Sequence, residues 1–482
     1  MTEALFEEFE PAAREQWLDA VLKSLGSETV DSLITKTYEG INIHPLPQAD
    51  DLAGIQHHLS LPGKFTFVRG TTAGGYRARP WLITGEIDLS DPREFNRTQR
   101  DALANGATAI ALPKRLRLNN VSDLRLALAD IDVTRFPIFL QSAEHAPEVY
   151  NLLCQAYDAE ALAKFSGCIG YDPLNVLAQT GSMPDEAFER LAAHVETAAY
   201  HSPELGSIAV STATYHAAGA NAVQELALAI ATGVAYLRAL NDRGLAVENV
   251  APKLHFFLSI GENFFMEVAK FRAIKLLWAQ VLRAFSLRQN IYIHARSGTR
   301  NKSRLDAHVN LLRLTTEALS AAIGGVDSIQ LAPFDQPLGA SDDFSRRLSR
   351  NLQLILGEEL RLVELIDPAG GAWHVEKLTD QLARAAWSRF QRIEADGGLV
   401  ASLRLGALQA EIEAVAEQRR RYMASGDAVL VGVNRYVDPA AAPQRNDMAD
   451  ESISDSANIH PLRSRRLAEP YEARLSDSGS GS

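Results

Sequence analysis

The feature that most constrains this chain is a repeat, starting near residue 60, in which short apolar runs alternate with amphipathic helical stretches. Eight runs have the length and composition of buried strands, namely residues 81–88, 108–112, 137–141, 167–171, 207–212, 254–260, 291–295 and 328–332. This order predicts an α/β protein with a parallel sheet. The count of eight favours a closed (β/α)8 TIM barrel over residues 61–365, with an open doubly wound sheet as the alternative.

The segment before the repeat is too small to fold alone. Residues 1–60 contain one predicted helix, 11–25, and one predicted short strand, 37–43. Elements of this size cannot bury a core between them. We therefore expect an N-terminal helical arm that packs either on its own barrel or on a partner subunit.

The segment after the repeat divides into a helical part and a polar part. Residues 366–437 are predicted to be a C-terminal helical extension, with helices at 375–396 and 399–423 and a strand-like segment at 429–436. Residues 438–482 are rich in Pro, Asp, Ser and Arg and poor in large apolar side chains. They are predicted to form a flexible tail.

Composition and charge exclude several classes of protein. The 482 residues are 46% hydrophobic and 22% charged, which suits a large globular core. A net charge of −12 argues against a nucleic-acid partner. Two cysteines, Cys154 and Cys168, imply no disulfide framework and favour a cytoplasmic location. No signal peptide is recognisable, and no apolar run reaches the roughly 20 residues of a membrane span, so no membrane association is expected.

His216, at the exit of the fifth predicted strand, is the strongest single candidate for chemistry. In a (β/α)8 barrel that end of the strands carries the active site. A histidine there can polarise a carbonyl or move a proton. A buried histidine bonded to a neighbouring carbonyl is the competing interpretation, and the residues alone favour it. Asn221 and Gln224 form a predicted capping box for the helix that follows.

Two arginine-bearing segments are candidates for binding an anion. The first, residues 69–81, contains Arg69, Tyr76 and three glycines and leads into the first strand. It lacks the ending of a P-loop. The second leaves the seventh strand and carries His294, Arg296 and further basic residues, which suit a phosphate-bearing ligand or an acidic surface of a partner. For both segments, solvated loops are the alternative.

No metal site is predicted. Asp306 and His308 stand together at the start of a predicted helix. No cysteine or second histidine lies at a spacing that would complete a set of ligands.

Five stretches together resemble a known family. They are RGTTAGGYRARPW (69–81), YHAAGANAVQELA (215–227), IGENFFMEVAKFRAIKLLW (260–278), DDFSRRLSRNLQ (342–353) and DPAGGAWHVEKL (367–378). In order and spacing they are similar to the substrate-binding barrel of the adenosylcobalamin-dependent methylmalonyl-CoA mutases. The resemblance implies a (β/α)8 barrel through which the CoA chain threads. It also implies that active members carry a cobalamin-binding domain after the barrel.

The resemblance implies roles for three residues. Tyr76 matches a tyrosine beside the reacting centre, and His216 matches a histidine that bonds the thioester carbonyl, so these two are the implied catalytic residues. Arg69 matches an arginine on the substrate path. His294 and Arg296 join it as candidates for substrate binding.

Three departures from the active pattern accompany the resemblance. The chain is expected to lack the cobalamin domain, and the family's Asp-x-His-x-x-Gly cobalt-ligand signature is absent. Cys168 and Gly170 stand where active chains present threonine and glutamine. The seventh-strand loop lacks the Gln-Thr-Ser-Gly-Trp of active chains. Each polar partner lost beside a bound ligand costs about 1–3 kcal/mol.

This pattern resembles the small subunit of the heterodimeric mutases. It implies a non-catalytic chain whose partner, the catalytic large subunit, interconverts (R)-methylmalonyl-CoA and succinyl-CoA. Adenosylcobalamin is then expected in the assembled enzyme and not on this chain alone, and a CoA ester is a further candidate ligand. The alternatives are the catalytic half of a split acyl-CoA mutase, with cobalamin on a separate protein, and a mutase for another branched acid.

Overall fold

The computed structural model describes residues 13–26, 29–141, 143–339, 341–438 and 459–479. Two short strands form an antiparallel hairpin, and eight strands form one parallel sheet. The strands are β1 (Thr35–Lys36), β2 (Asn42–Ile43), β3 (Leu82–Gly85), β4 (Ile110–Leu112), β5 (Ile138–Leu140), β6 (Gly167–Tyr171), β7 (Gly206–Ser211), β8 (Leu254–Ile260), β9 (Tyr292–Ser297) and β10 (Ser328–Leu331).

The eight-stranded sheet closes on itself. Its order is β3-β10-β9-β8-β7-β6-β5-β4, so each strand after β4 adds beside the one before it and β10 returns to β3. The remaining edge is joined by the Thr108 amide, which donates to the Ile83 carbonyl at 3.0 Å. The predicted (β/α)8 barrel is therefore confirmed, and the open doubly wound sheet is not formed.

Helices surround the barrel and extend from both of its ends. They are α1 (Arg14–Leu25), α2 (Gly75–Ala78), α3 (Pro92–Ala104), α4 (Val121–Ala127), α5 (Ala146–Ala156), α6 (Ala159–Leu162), α7 (Pro173–Thr180), α8 (Ala187–His201), α9 (Ala213–Ala218), α10 (Ala222–Asn241), α11 (Val247–Val250), α12 (Phe264–Ala284), α13 (Ala307–Gly324), α14 (Asp343–Leu354), α15 (Trp373–Ala395), α16 (Leu399–Arg404), α17 (Ala407–Ser425) and α18 (Glu469–Gly479).

The helix α10 shows how local sequence sets these elements. The Asn221 side chain accepts from the Gln224 amide at 2.9 Å, and the Gln224 side chain accepts from the Asn221 amide at 3.0 Å, so the predicted capping box is formed. The helix is long and apolar enough to cross a membrane. However, 83% of its apolar window is buried inside the protein, as befits a core helix between the barrel and α15.

The N-terminal arm divides into two parts. From β1 onward it packs on its own barrel, where the Tyr38 carbonyl accepts from the Asn221 side chain at 2.7 Å and Ile41 is buried. The predicted single strand at 37–43 is wrong, because a turn around Gly40 separates β1 from β2. By contrast, α1 buries none of its residues. Residues 1–12, which carried the signal-peptide prediction, lie outside the described part.

Two predictions beyond the barrel need correction. The strand-like segment at 429–436 is a series of turns with one isolated bridge, because its backbone bonds locally through Asn434. The flexible tail predicted from 438 does not hold for residues 459–479. This C-terminal segment buries Ile459 and Leu462 in the main core and ends in α18. Residues 439–458 lie outside the described part.

The C-terminal segment runs along the C-terminal end of the barrel. Its backbone amides donate to carbonyls in the connections that follow three different strands. Ile459 donates to Gly181 at 3.2 Å, after β6; Arg465 donates to Ala217 at 3.0 Å, after β7; and Leu467 donates to Arg300 at 2.8 Å, after β9. Thus the segment covers part of the barrel end at which chemistry is found in this fold.

Candidate functional site

The interior of the barrel is occupied by side chains from its own strands. Because strand residues alternate between two faces, every second residue points to the axis. A hydrophobic cluster separate from the main core collects side chains from five strands and from the position just before β4: Leu82, Ala109, Phe139, Cys168, Phe257 and Tyr292. The lumen is therefore a packed layer at this level.

Aromatic rings meet across the barrel axis. Phe139 lies on β5 and His294 on β9, which are four strands apart in either direction around the eight-stranded sheet. Their ring centroids are nevertheless 4.8 Å apart, and Phe139 lies 6.1 Å from Tyr292. Phe257 closes on His294 from β8 at 4.8 Å. Rings that touch across the full diameter of the barrel leave no continuous channel along its axis.

Both ring nitrogens of His294 are already hydrogen-bonded. Nδ1 lies 2.7 Å from the Ser328 hydroxyl and Nε2 lies 3.1 Å from Oε1 of Gln330. A neutral imidazole meets both contacts when Nε2–H donates to the amide oxygen and Nδ1 accepts from the hydroxyl. Complete burial lowers the pKa of His294 to about 3, which keeps the ring neutral. The predicted substrate-binding role would require breaking one of these bonds.

His216 lies outside the layer of side chains in the lumen and is itself buried. It lies in α9, and its Nδ1 is 2.7 Å from Oε1 of Glu225 on the outer helix α10. The other side of the ring abuts the backbone, since a Cβ placed on Gly298 would lie 2.6 Å from Nε2. Burial, followed by the nearby Arg300 and Lys270 charges, lowers the pKa of His216 well below its ordinary value.

Glu225 belongs to a buried ionic network around His216. Its second oxygen, Oε2, lies 3.4 Å from Nζ of Lys270, which also pairs with Glu267 at 2.6 Å and donates to the Ser259 carbonyl at 2.7 Å. All three ionic side chains are almost fully buried. His216 is buried, as the residues alone favoured, but its ring bonds the Glu225 carboxylate and not a neighbouring carbonyl. Together these contacts tie α9 to α10 and α12.

Arg69 and Tyr76 lie at the opposite, N-terminal end of the barrel. The Tyr76 hydroxyl donates to the Val326 carbonyl at 2.8 Å, just before β10 begins. Nε of Arg69 lies 2.7 Å from Oδ2 of Asp367. Both residues line a cleft that encloses about 550 Å³ with its opening. Lys275 lies in the same wall, and burial lowers its pKa to about 8.

Arg296 is the one predicted site residue at the C-terminal mouth of the lumen. It follows His294 by two residues on β9 and therefore shares its face. Its Nη2 lies 3.0 Å from Oε2 of Glu86, which follows β3, and its side chain is 29% exposed. The pair bridges the rim between two strands that flank β10.

Comparison with known proteins assigns the barrel to a family. The sequence profile described as methylmalonyl-CoA mutase matches residues 36–116 and 115–478. The chain belongs to the methylmalonyl-CoA mutase family. The methylmalonyl-CoA mutase small subunit of Streptomyces virginiae is 35% identical, over 95% of this chain and 78% of that protein. The small subunit of Porphyromonas gingivalis is 32% identical, over 99% of this chain and 79% of that protein. The large subunit of S. virginiae is 31% identical, over 88% of this chain and 62% of that protein.

The structure does not bring together the two residues that the mutase resemblance implies as catalytic. Tyr76 bonds the chain just before β10, whereas His216 lies beyond the C-terminal end of β7. A four-residue strand such as β10 alone spans about 13 Å. The two side chains therefore cannot contact the same reacting atom of a mutase substrate.

Sequence reasoning missed the aromatic lining of this mutase barrel. Phe139, Phe257 and Tyr292 lie in strands that were predicted with nearly the right bounds, and His255 stacks on Tyr292 at 4.1 Å. The available signal was the alternation within β8, where His255, Phe257 and Ser259 share one face. Alternation shows which residues share a face but not which face points inward, because both faces of a barrel strand are buried.

The sequence Asp306-Ala307-His308, which matches the first part of the Asp-x-His-x-x-Gly signature, lies at the protein surface. His308 stands on the N-terminal turn of α13 with its side chain 84% exposed, stacked on Phe334. Within the described residues, no group of three His, Cys, Asp or Glu side chains is placed to hold a metal ion. The C-terminal segment also occupies part of the barrel end on which a cofactor would rest.

Proposed function

We propose that this chain is the small, non-catalytic subunit of a heterodimeric methylmalonyl-CoA mutase. In this proposal the large subunit interconverts (R)-methylmalonyl-CoA and succinyl-CoA, and this chain supports it. The observation that carries the proposal is the contact of Phe139 with His294 and Tyr292 across the barrel axis. An acyl-CoA that threads the barrel would need the space that these rings fill.

The names of the relatives support the same assignment of roles to a small and a large subunit. Small-subunit and large-subunit proteins of the same two organisms both match this chain. The small subunits align over a larger share of it than the large subunits do. A large subunit is therefore the proposed partner, and adenosylcobalamin is proposed to act in the assembled enzyme rather than on this barrel. We also propose a cytoplasmic location, which the two unpaired cysteines support.

The helix α1 is the proposed contact of the N-terminal arm with the large subunit. Trp17, Leu18, Val21 and Leu22 lie on one helical face and are only partly buried, and Leu25 is 43% exposed. An isolated helix of about 12 residues is marginal in water. A helix that buries none of its residues on its own chain therefore gains most from an apolar partner surface.

Purification of the chain alone and with a large subunit tests the proposed function. With adenosylcobalamin and succinyl-CoA, we expect no turnover by the lone chain and turnover by the pair. For the interface, W17S/L22S should weaken association by about tenfold or more, since each buried anchor contributes above 1 kcal/mol. The matched variant K23S, on the exposed face of α1, should leave association unchanged.

Arg296 at the mouth of the lumen separates this proposal from the split-mutase alternative. In the assembled enzyme, R296Q and the surface control R97Q should both keep kcat/KM within about twofold, because neither would touch substrate. A loss of about tenfold or more in R296Q alone, equivalent to 1.4 kcal/mol, would show that this barrel takes part in the reaction. Turnover by the lone chain would have the same meaning.

A further inference from the structure

A second cleft lies beneath the C-terminal segment. It encloses about 430 Å³ with its opening and is bounded by α9, α17, the connection after β9 and residues 465–470. Five of its twelve lining residues are arginines: Arg300, Arg419, Arg420, Arg465 and Arg466. Among the described residues that line it, Glu469 is the one acid. Such a concentration of guanidinium groups is unusual in a chain of net charge −12.

Two of these arginines are buried and incompletely bonded. Arg300 is 5% exposed and Arg419 is 6% exposed. They share one carboxylate, since Nη2 of Arg300 and Nη1 of Arg419 each lie 3.0 Å from an oxygen of Glu262. Nε of both side chains has no hydrogen-bond acceptor within the described structure. A buried donor without an acceptor costs about 1–3 kcal/mol, so an oxyanion that met these groups would be stabilised.

The outer arginines are held by exchangeable pairs. Arg465 and Arg420 share Oε1 of Glu413, at 2.9 and 2.6 Å, and Arg465 and Glu413 are 42% and 51% exposed. Arg420, which is 29% exposed, also pairs with Glu417 at 2.7 Å, and Glu417 is 52% exposed. Exposed pairs of this kind contribute at most about 1 kcal/mol. Arg466 is more firmly placed by two 2.7 Å bonds to Glu472. An incoming anion can therefore recruit Arg420 and Arg465 without dismantling the segment.

We propose that this cleft is an anion site for a phosphate group, either inorganic phosphate or the phosphate of a small ester. Guanidinium groups bind phosphate through paired, charge-assisted hydrogen bonds. A phosphate dianion supplies more charge and more acceptor oxygens than a carboxylate, so it can compete with the glutamates that already pair with these arginines. Because these arginines come from α17, the connection after β9 and the C-terminal segment, a bound phosphate fastens that segment to the barrel. The site does not depend on the proposed subunit role.

Titration of the full chain tests the site. Inorganic phosphate, glycerol phosphate and acetate are added separately at constant ionic strength, with sodium chloride as the reference. Calorimetry should show saturable binding of phosphate at one site. The melting temperature should rise by about 1–2 °C at tenfold excess over Kd. Stronger binding of glycerol phosphate would identify an ester as the ligand, and equal binding would identify the free phosphate group.

Hydrogen exchange and matched variants locate the bound phosphate. Amides of residues 459–475 should exchange more slowly when phosphate is present. The double variant R420Q/R465Q changes one half-buried and one exposed side chain and should bind phosphate at least about tenfold more weakly. The control R384Q, at an exposed arginine of α15, should bind phosphate as the parent does. The proposal is overturned by a lack of saturable phosphate binding, by equal binding of acetate, or by full affinity in R420Q/R465Q.

Discussion

Replacement of Phe139 by alanine tests whether the barrel axis is packed as a hydrophobic core. The side chain is 1% exposed, and its ring lies 4.8 Å from His294 and 6.1 Å from Tyr292. These neighbours belong to β9, on the far side of the barrel, and His294 is held by bonds to β10. They cannot move far enough to fill the space that the ring leaves. The variant should therefore contain a cavity on the axis.

The expected loss for F139A is about 3–5 kcal/mol of unfolding free energy, the range for a buried phenylalanine replaced by alanine. Contacts with two other rings, at about 0.5–1.5 kcal/mol each, place it in the upper part of that range. Urea unfolding followed by circular dichroism measures the change. The matched control is F344A on α14, where the ring is 50% exposed, and it should change stability by less than about 0.5 kcal/mol.

A loss below about 1 kcal/mol in F139A, similar to that of F344A, would refute the packed lumen. The argument that the packed rings leave no room for an acyl thioester in this barrel would then be refuted as well. The variant F139L keeps the test usable if F139A does not fold, because leucine retains much of the side-chain volume of phenylalanine. Stability should decrease in the order wild type, F139L, F139A when packing is the cause.

Three further predictions concern buried polar groups and one close approach. Burial raises the pKa of Asp172 from 3.8 to about 6. The stability that its protonated form contributes is present below 3.8 and lost as the pH rises through about 6, so urea unfolding of wild type relative to D172N should lose up to about 3 kcal/mol between acid and neutral pH. E225Q leaves Lys270 with one carboxylate fewer and should cost about 3–5 kcal/mol by the same assay, whereas a smaller effect would mean that the network is hydrated. G219V should lower the melting temperature for two reasons. Gly219 has φ +115°, and a Cβ added there would lie 2.5 Å from the Cβ of Ala416. An unchanged melting temperature would mean that α17 does not pack against Gly219.

The barrel strands could be predicted because their signal is local. The runs 167–171 and 254–260 have the bounds that β6 and β8 show in the structure. Each is a short run of mostly apolar residues bounded by polar or turn residues, which is the pattern of a strand covered on both sides. The capping box of Asn221 and Gln224 is equally local, since it joins residues three positions apart.

The site could not be predicted to the same degree, because its geometry depends on distant pairings. Tyr76 and His216 were placed together by resemblance, but the two residues occupy opposite ends of the strands. The C-terminal segment was missed for a related reason. Before α18 it buries Ile459, Leu462 and Ala468 in two clusters and its amides donate to the connections after the barrel strands, so no helical or strand period marks that part.

The two features that support the proposed non-catalytic role arise from different parts of the chain. Aromatic side chains of β5, β8 and β9 fill the axis, and residues 459–479 cover part of the C-terminal end. Because the packed axis and the C-terminal segment are independent, removing a ring from the axis leaves the segment in place. F139A should therefore create a cavity without creating turnover, even in the presence of cofactor. A barrel whose axis is packed with its own side chains suits the proposed role, in which its outer surface, and not its interior, serves the assembly.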